Sequence, residues 1–321
     1  MRKFIFYILE IILIVVAVAF SIQYLADRGL QNWQNTIYND WQNTLEGKIN
    51  SDVIIMGSSR GFVGYNPKII EYKLKLKTYN ISYNAGGYKL QLSKLNIYLK
   101  KNRKPKVLIQ NLDLAHFDEN DILPEEFQFI PFLNNSDIDD LVMSYDSKYN
   151  YLKYIPLLKY NQNLKLLKNG IYTNFKNFNI ENGTTYQGYC PQNRIFKIEQ
   201  HNLKRIEKKS KQDLDINREK KILKKMMDFY KLNFGSSTKI IFVWAPENKL
   251  RLNKAYDSLK SPLIKEINLI QKNNKNIYFI DLSHHVISKN DDYFYDTFHL
   301  NKKGSEVFSQ VLSAKISKIL N

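Results

Sequence analysis

Five short runs rich in β-branched and aromatic residues constrain this chain more than any other feature: Val53–Met56, Thr78–Ser82, Lys106–Leu112, Lys239–Ala245 and Asn276–Leu282. Each is the length of a strand, and the first and fourth carry apolar residues at nearly every position. Strands of that kind are covered on both faces, as in a parallel sheet. Amphipathic stretches separate them: Lys89–Lys100, Asn217–Phe234 with Gly235 as its stop, Asn253–Gln271 and Lys302–Leu320. This alternation predicts an α/β fold, a flavodoxin-like three-layer sandwich with a five-stranded parallel sheet. The last stretch places Val307, Phe308, Val311, Leu312, Ile316, Ile319 and Leu320 on one face, so it is expected to pack on the sheet. Residues 117–216 break the rhythm with Tyr, Asn, Leu and Lys and with Pro124, Pro131, Pro156 and Pro191. They are expected to form a helical and loop insertion, a natural place for a lid or substrate platform.

The amino terminus imposes a second constraint. Arg2 and Lys3 precede an apolar run from Phe4 to Leu25, interrupted only by Glu10. Such a run is long enough to cross a bilayer as a helix, and the preceding cations orient the remaining chain out of the cytoplasm. The expectation is a single-pass anchor over residues 1–27, in the cell membrane, with an extracytoplasmic body over 51–321. A cleaved signal peptide ending near Ala17-Val18-Ala19 is the rival reading. Glu10 is costly within a span and is a candidate contact for a partner helix. Between anchor and body, Trp33, Ile37, Trp41 and Leu45 recur every fourth residue, which predicts a stalk helix over 28–50.

Composition narrows the chemistry. The formal charge of +17 lies almost wholly beyond the apolar run, which favours an anionic partner. Lysine outnumbers arginine about five to one and Asn, Ile and Tyr abound, so a compositional bias accounts for the charge equally well. No nucleic-acid motif accompanies the basic residues, and no nucleic acid is expected as partner. Cys190 is the only cysteine, which excludes an intrachain disulfide and a cysteine zinc site. His116, His201, His284, His285 and His299 show no metal-ligand spacing, so neither metal nor cofactor is expected.

Two local patterns can carry chemistry. The first predicted strand ends in Gly57-Ser58-Ser59-Arg60, and ligands of open parallel sheets bind at the carboxyl ends of strands. A serine at such a turn is also an ordinary helix cap. After the last strand, Asp296 precedes His299 by three residues, a spacing that lets a carboxylate hold Nδ1 while Nε2 faces a nucleophile. Asp113 and His116 repeat the spacing after the third strand, and spacing alone does not choose between the pairs.

Taken jointly, GSS after the first strand, the Asn- and Gly-rich turn Tyr79–Gly87 after the second, and DxxHLxxxG before the last helix resemble blocks one, two and five of the SGNH (GDSL-like) hydrolases. The resemblance covers the body from about Ser51 onward, apart from the insertion. It implies Ser59 as nucleophile, Asp296 and His299 as acid-base partners, and an oxyanion hole built from the N–H groups of Ser59 and of Gly86 or Gly87. The usual Asp of GDS is Ser58 here, as in membrane-anchored relatives such as the D-alanyl-transfer protein of the teichoic-acid pathway and the anchored acetylation proteins of exopolysaccharide systems. The GxND block is replaced by Gln110–Asp113, leaving Asn111 as its only candidate. Arg60 and Trp244 are candidate substrate contacts, with structural roles as their alternatives, and Glu247 is placed on the same rim.

The implied function is acyl transfer to, or ester hydrolysis on, a cell-envelope glycan or teichoic-acid-like polymer, beside a membrane-bound O-acyltransferase. The alternatives are a non-catalytic envelope-binding protein with the same shell and a plain esterase.

Overall fold

The computed structural model describes residues 2–117, 122–176, 184–198 and 216–321. In chain order the helices and strands are α1 (Arg2–Gln31), α2 (Ile37–Leu45), β1 (Val53–Met56), α3 (Ser59–Gly64), α4 (Pro67–Leu74), β2 (Thr78–Asn80), α5 (Tyr88–Lys101) and β3 (Val107–Leu112). There follow α6 (Ser136–Met143), α7 (Tyr149–Leu152), α8 (Leu164–Thr173), α9 (Ile216–Phe234), β4 (Lys239–Trp244), α10 (Lys254–Asn273), β5 (Ile277–Asp281) and α11 (Lys302–Leu320). They gather into two compact units, Met1–Asn43 with Asp121–Glu181, and Thr44–Asn120 with Asn182–Asn321.

The second unit contains the sheet. All five strands are parallel, in the order β2-β1-β3-β4-β5. This is the flavodoxin-like order, whose chain direction reverses between β1 and β3 and opens a crevice there. Side chains alternate across the sheet. Ile54, Met56, Leu108, Ile240, Phe242 and Trp244 enter one core with Leu95 and Tyr98 of α5, Met226 and Tyr230 of α9, and Leu263 and Ile267 of α10. Val53, Ile55, Val107, Ile109, Ile241 and Val243 enter the other with Ile70 of α4 and Phe308, Leu312 and Ile316 of α11. The fold is α/β in three layers, and the apolar face read from residues 307–320 covers the sheet as its spacing requires.

Where helices stop has local causes. Gly235 follows α9 with φ +58, a backbone state that costs glycine little. Asn301 caps α11 by accepting from Gly304 N–H at 2.9 Å. The helix expected over 28–50 is divided instead. α1 continues to Gln31, Asn35 takes φ +59, and α2 begins at Ile37, so the Trp33–Leu45 stripe spans a turn and a short helix. A non-glycine residue at positive φ cannot continue a right-handed helix.

In the first unit, α1 is long and apolar enough to cross a membrane, by length and composition. Its last turns are packed: the Asp27 carboxylate accepts from Lys159 Nζ at 2.7 Å and Tyr160 Oη at 2.5 Å, and Gln31 Nε2 donates to the Pro131 carbonyl at 2.7 Å. Trp41 Nε1 donates to Gln128 Oε1 at 2.7 Å, which satisfies the indole inside an apolar setting. The described part of the insertion consists of short helices and turns, with one isolated bridge between Tyr186 and Tyr189.

Candidate active site

Ser59 is the first residue of α3, directly after β1 and the turn at Gly57 and Ser58. Ser58 is extended (φ −78, ψ −157) and its hydroxyl makes no capping bond. It donates instead to Asp113 Oδ2 at 2.5 Å, past the end of β3. The simple capped-turn reading of GSSR therefore fails, because the hydroxyl that would cap is turned across the sheet.

The second half of the site is a loop held shut by its own backbone. An antiparallel bridge joins Phe294 to Leu300, and Asn301 Nδ2 donates to the carbonyls of Asp292 at 2.8 Å and Phe294 at 3.1 Å. The first turn of α11 comes so close that a Cβ on Gly304 would lie 2.0 Å from the Tyr293 carbonyl oxygen, which explains a glycine at that position. Within the loop, Asp296 Oδ1 accepts from the N–H groups of Phe298 and His299, both at 2.7 Å. Its Oδ2 meets His299 Nδ1 at 2.8 Å. Burial pushes the Asp296 carboxyl up, but the hydrogen bond and charge of His299 and the two backbone N–H groups outweigh this and hold it below its ordinary value.

The loop and β1 bring the two halves together: His299 Nε2 lies 2.8 Å from Ser59 Oγ. With Asp296 ionised, the imidazole proton sits on Nδ1, so Nε2 accepts from the serine hydroxyl. Tyr295 stacks on the imidazole with ring centroids 5.2 Å apart and planes within 4°, Phe298 meets it edge-on at 4.7 Å, and Arg194 lies 4.4 Å over Tyr295. These contacts fix the ring's orientation. Ser59, His299 and Asp296 thus form a hydrogen-bonded chain able to raise the nucleophilicity of a hydroxyl.

The other candidates are placed less uniformly. Gly86 N–H is committed to the Tyr83 carbonyl at 3.3 Å. Gly87 is extended at the start of α5, and its N–H is the second candidate donor beside that of Ser59, which has no intrahelical partner at its helical position. Asn111 does not fill the oxyanion role. It is fully buried, its Oδ1 accepts from Tyr65 Oη at 2.8 Å, and its Nδ2 points to Asp113 at 3.4 Å.

Arg60 and Trp244 are likewise not placed as substrate contacts. Arg60 is 2% exposed, its Nη1 lies 2.6 Å from Glu247 Oε1, and its Nη2 donates to the carbonyls of Ala245 and Pro246. Trp244 is fully buried and donates Nε1 to Glu247 at 2.9 Å, and Glu247 lies beneath the rim assigned to it. A buried arginine must be paired, and this pair anchors the start of α3 to the end of β4.

Several residues of the site escaped the sequence reading. Arg251 Nε and Tyr256 Oη complete the Glu247 cluster, and the guanidinium of Arg251 lies 4.2 Å over Phe298, the neighbour of His299. The i,i+4 spacing of Glu247 and Arg251 was the available signal. Of the rival pair, Asp113 is engaged with Ser58, while the side chain of His116 lies outside the described residues, as does all of His201. Among the described residues no His, Cys, Asp or Glu side chains cluster as metal ligands.

No protein-family model matches the chain, and no curated protein matches it. Among solved structures, it is similar to an active-site mutant of a family two carbohydrate esterase from Clostridium thermocellum, at 9% identity and a TM-score of 0.38, covering 84% of this chain and 63% of that one. It is also similar to an acetyl xylan esterase from Butyrivibrio proteoclasticus, at 12% identity and a TM-score of 0.37, covering 84% and 64%. The chain spans less than two thirds of the length of these structures.

Proposed function

We propose that the chain is a membrane-anchored, extracytoplasmic serine acyltransferase or esterase acting on acyl esters of a cell-envelope polysaccharide. The observation that carries this reading is the chain of 2.8 Å contacts from Ser59 Oγ through the His299 ring to Asp296. His299 Nε2 takes the serine proton as Oγ attacks an acyl carbonyl, and the N–H groups of Ser59 and Gly87 face the oxyanion that forms. Collapse expels the alcohol, which receives the proton from His299, and leaves acyl-Ser59. An acceptor hydroxyl then gives its proton to His299 and attacks the acyl carbon, and the bond to Ser59 Oγ breaks as Oγ takes the proton back from His299. Water as acceptor makes the chain an esterase, and a polymer hydroxyl makes it a transferase.

The apolar helix α1 and the basic body support an envelope setting and an anionic polymer as partner. Exposed Glu10 on α1 supports a contact with a membrane-bound O-acyltransferase that supplies the acyl group. The test is covalent labelling of the full chain in detergent by a fluorophosphonate. Wild type labels and Ser59→Ala does not; equal labelling of both overturns the nucleophile. Failure of both to label returns the chain to a polymer-binding role.

A further inference from the structure

The apolar run of α1 ends where its first tertiary contacts begin. From Phe4 to Leu25 its large apolar side chains, Ile22 excepted, are solvent-exposed. At 1.5 Å per residue this length spans about 33 Å, close to the ~30 Å hydrocarbon thickness of a bilayer. At the far end, Gln23 Oε1 accepts from Leu157 N–H at 2.7 Å and the Leu25 carbonyl accepts from Asn174 Nδ2 at 2.8 Å. These bonds fix the height of two other segments along α1. Further from the run, a Cβ on Gly29 would lie 1.7 Å from the Gly170 carbonyl oxygen, so the helices touch there through glycine. A Cβ on Gly170 would in turn lie 2.4 Å from the Ala26 carbonyl oxygen, so Gly170 to Asn174, at the end of α8, pack on the Leu25–Gly29 turn of α1, at the end of the apolar run.

The side chains at that height are large, apolar and exposed: Tyr154 67%, Ile155 49%, Tyr172 50% and Phe175 80%. Lys176, which follows Phe175, and Arg28, three residues after Leu25, are also exposed. Tyrosine and other aromatic residues favour the headgroup level of a membrane, and flanking cations favour anionic headgroups. We propose that Tyr154, Ile155, Tyr172 and Phe175 form a collar around the exit of α1 that lies in the headgroup and upper acyl region of the same bilayer. This rests on α1 spanning the membrane. The collar gives the first unit a second attachment to the lipid, so the unit lies against the surface rather than swinging on a single helix.

The test uses the full chain with Cys190→Ala, reconstituted in phosphatidylcholine vesicles containing phosphatidylglycerol. Single cysteines at Val15, Tyr154, Phe175 and Leu164 carry an environment-sensitive fluorophore, and nitroxide lipids quench it at shallow or deep positions. Val15→Cys is expected to be quenched by the deep nitroxide, Tyr154→Cys and Phe175→Cys by the shallow one, and Leu164→Cys, at the other end of α8, by neither. Deep quenching at Val15 with aqueous, unquenched fluorophores at 154 and 175 overturns the collar and leaves the span standing. Absence of deep quenching at Val15 overturns the span and the collar together.

Discussion

The guanidinium of Arg60 rests 2.6 Å from the carboxylate of Glu247, 187 positions away in the chain, and both side chains are almost fully buried. Arg60 follows the candidate nucleophile, so this pair ties the position of Ser59 to the end of β4. Burial alone pushes the Glu247 carboxyl up, yet Arg60 and Arg251, with hydrogen bonds from Tyr256 and Trp244, bring it down to about 2. A carboxyl held below its ordinary value of 4.5 stabilises the fold above that pH, and the contribution is lost as pH falls toward 2. Urea unfolding at a series of pH values is expected to show this loss for wild type. Glu247→Gln, which leaves two buried guanidinium groups undercompensated, is expected to cost about 3 kcal/mol near neutral pH and to flatten the acid limb.

Asp296→Asn tests the relay apart from the scaffold. The amide keeps the size of the side chain but donates toward Nδ1, which moves the imidazole proton to Nε2 and removes the acceptor for the Ser59 hydroxyl. The rate of fluorophosphonate labelling is expected to fall by roughly 10³ to 10⁴, with the thermal midpoint little changed. A rate within about threefold of wild type would show that Asp296 does not set the tautomer.

Much of this architecture is legible locally, and the remainder depends on pairings that no local pattern records. β1, β3 and β4 are buried along their lengths, so β-branched runs reveal them, and Asp296 and His299 lie on one short loop. α3 is hidden because it has six residues, two of them glycine, and no apolar period. The Ser59–His299 contact joins residues 240 positions apart and follows only once the strand order is known. Strand position places Trp244 and Glu247 on the rim and Arg60 beside Ser59, and for Arg60 and Trp244 burial bears out the structural alternative. Burial on Glu247 is a matter of depth, which strand position does not encode.

Gly304→Ala probes the loop through its backbone. The added methyl meets the Tyr293 carbonyl oxygen at 2.0 Å and its carbon at 2.8 Å, atoms that yield only if the loop or α11 shifts. A destabilisation of about 1–3 kcal/mol is expected, and slower fluorophosphonate labelling with it, since the Asp296–His299 turn is anchored at Tyr293 and Asn301. Unchanged labelling alongside a lowered thermal midpoint would separate the geometry of the site from the packing of the helix.

Ser58 and Asp113 permit a test of the contact that joins the turn after β1 to the end of β3. Ser58 donates its hydroxyl to Asp113 at 2.5 Å, and both residues are buried. Ser58→Asp places a second carboxylate against the first, and two buried like charges in contact cannot both ionise. The single variant is expected to lose about 3–5 kcal/mol of stability in urea and most of its labelling. Adding Asp113→Ser exchanges the donor and acceptor and leaves one carboxylate paired with one hydroxyl across β1 and β3. The double variant is therefore expected to recover most of the lost stability, although Ser58→Ala, which removes only the donor, is expected to cost about 1–3 kcal/mol. A double variant no more stable than Ser58→Asp would show that the carboxylate must stand just past the end of β3, where Asn111 Nδ2 also faces it.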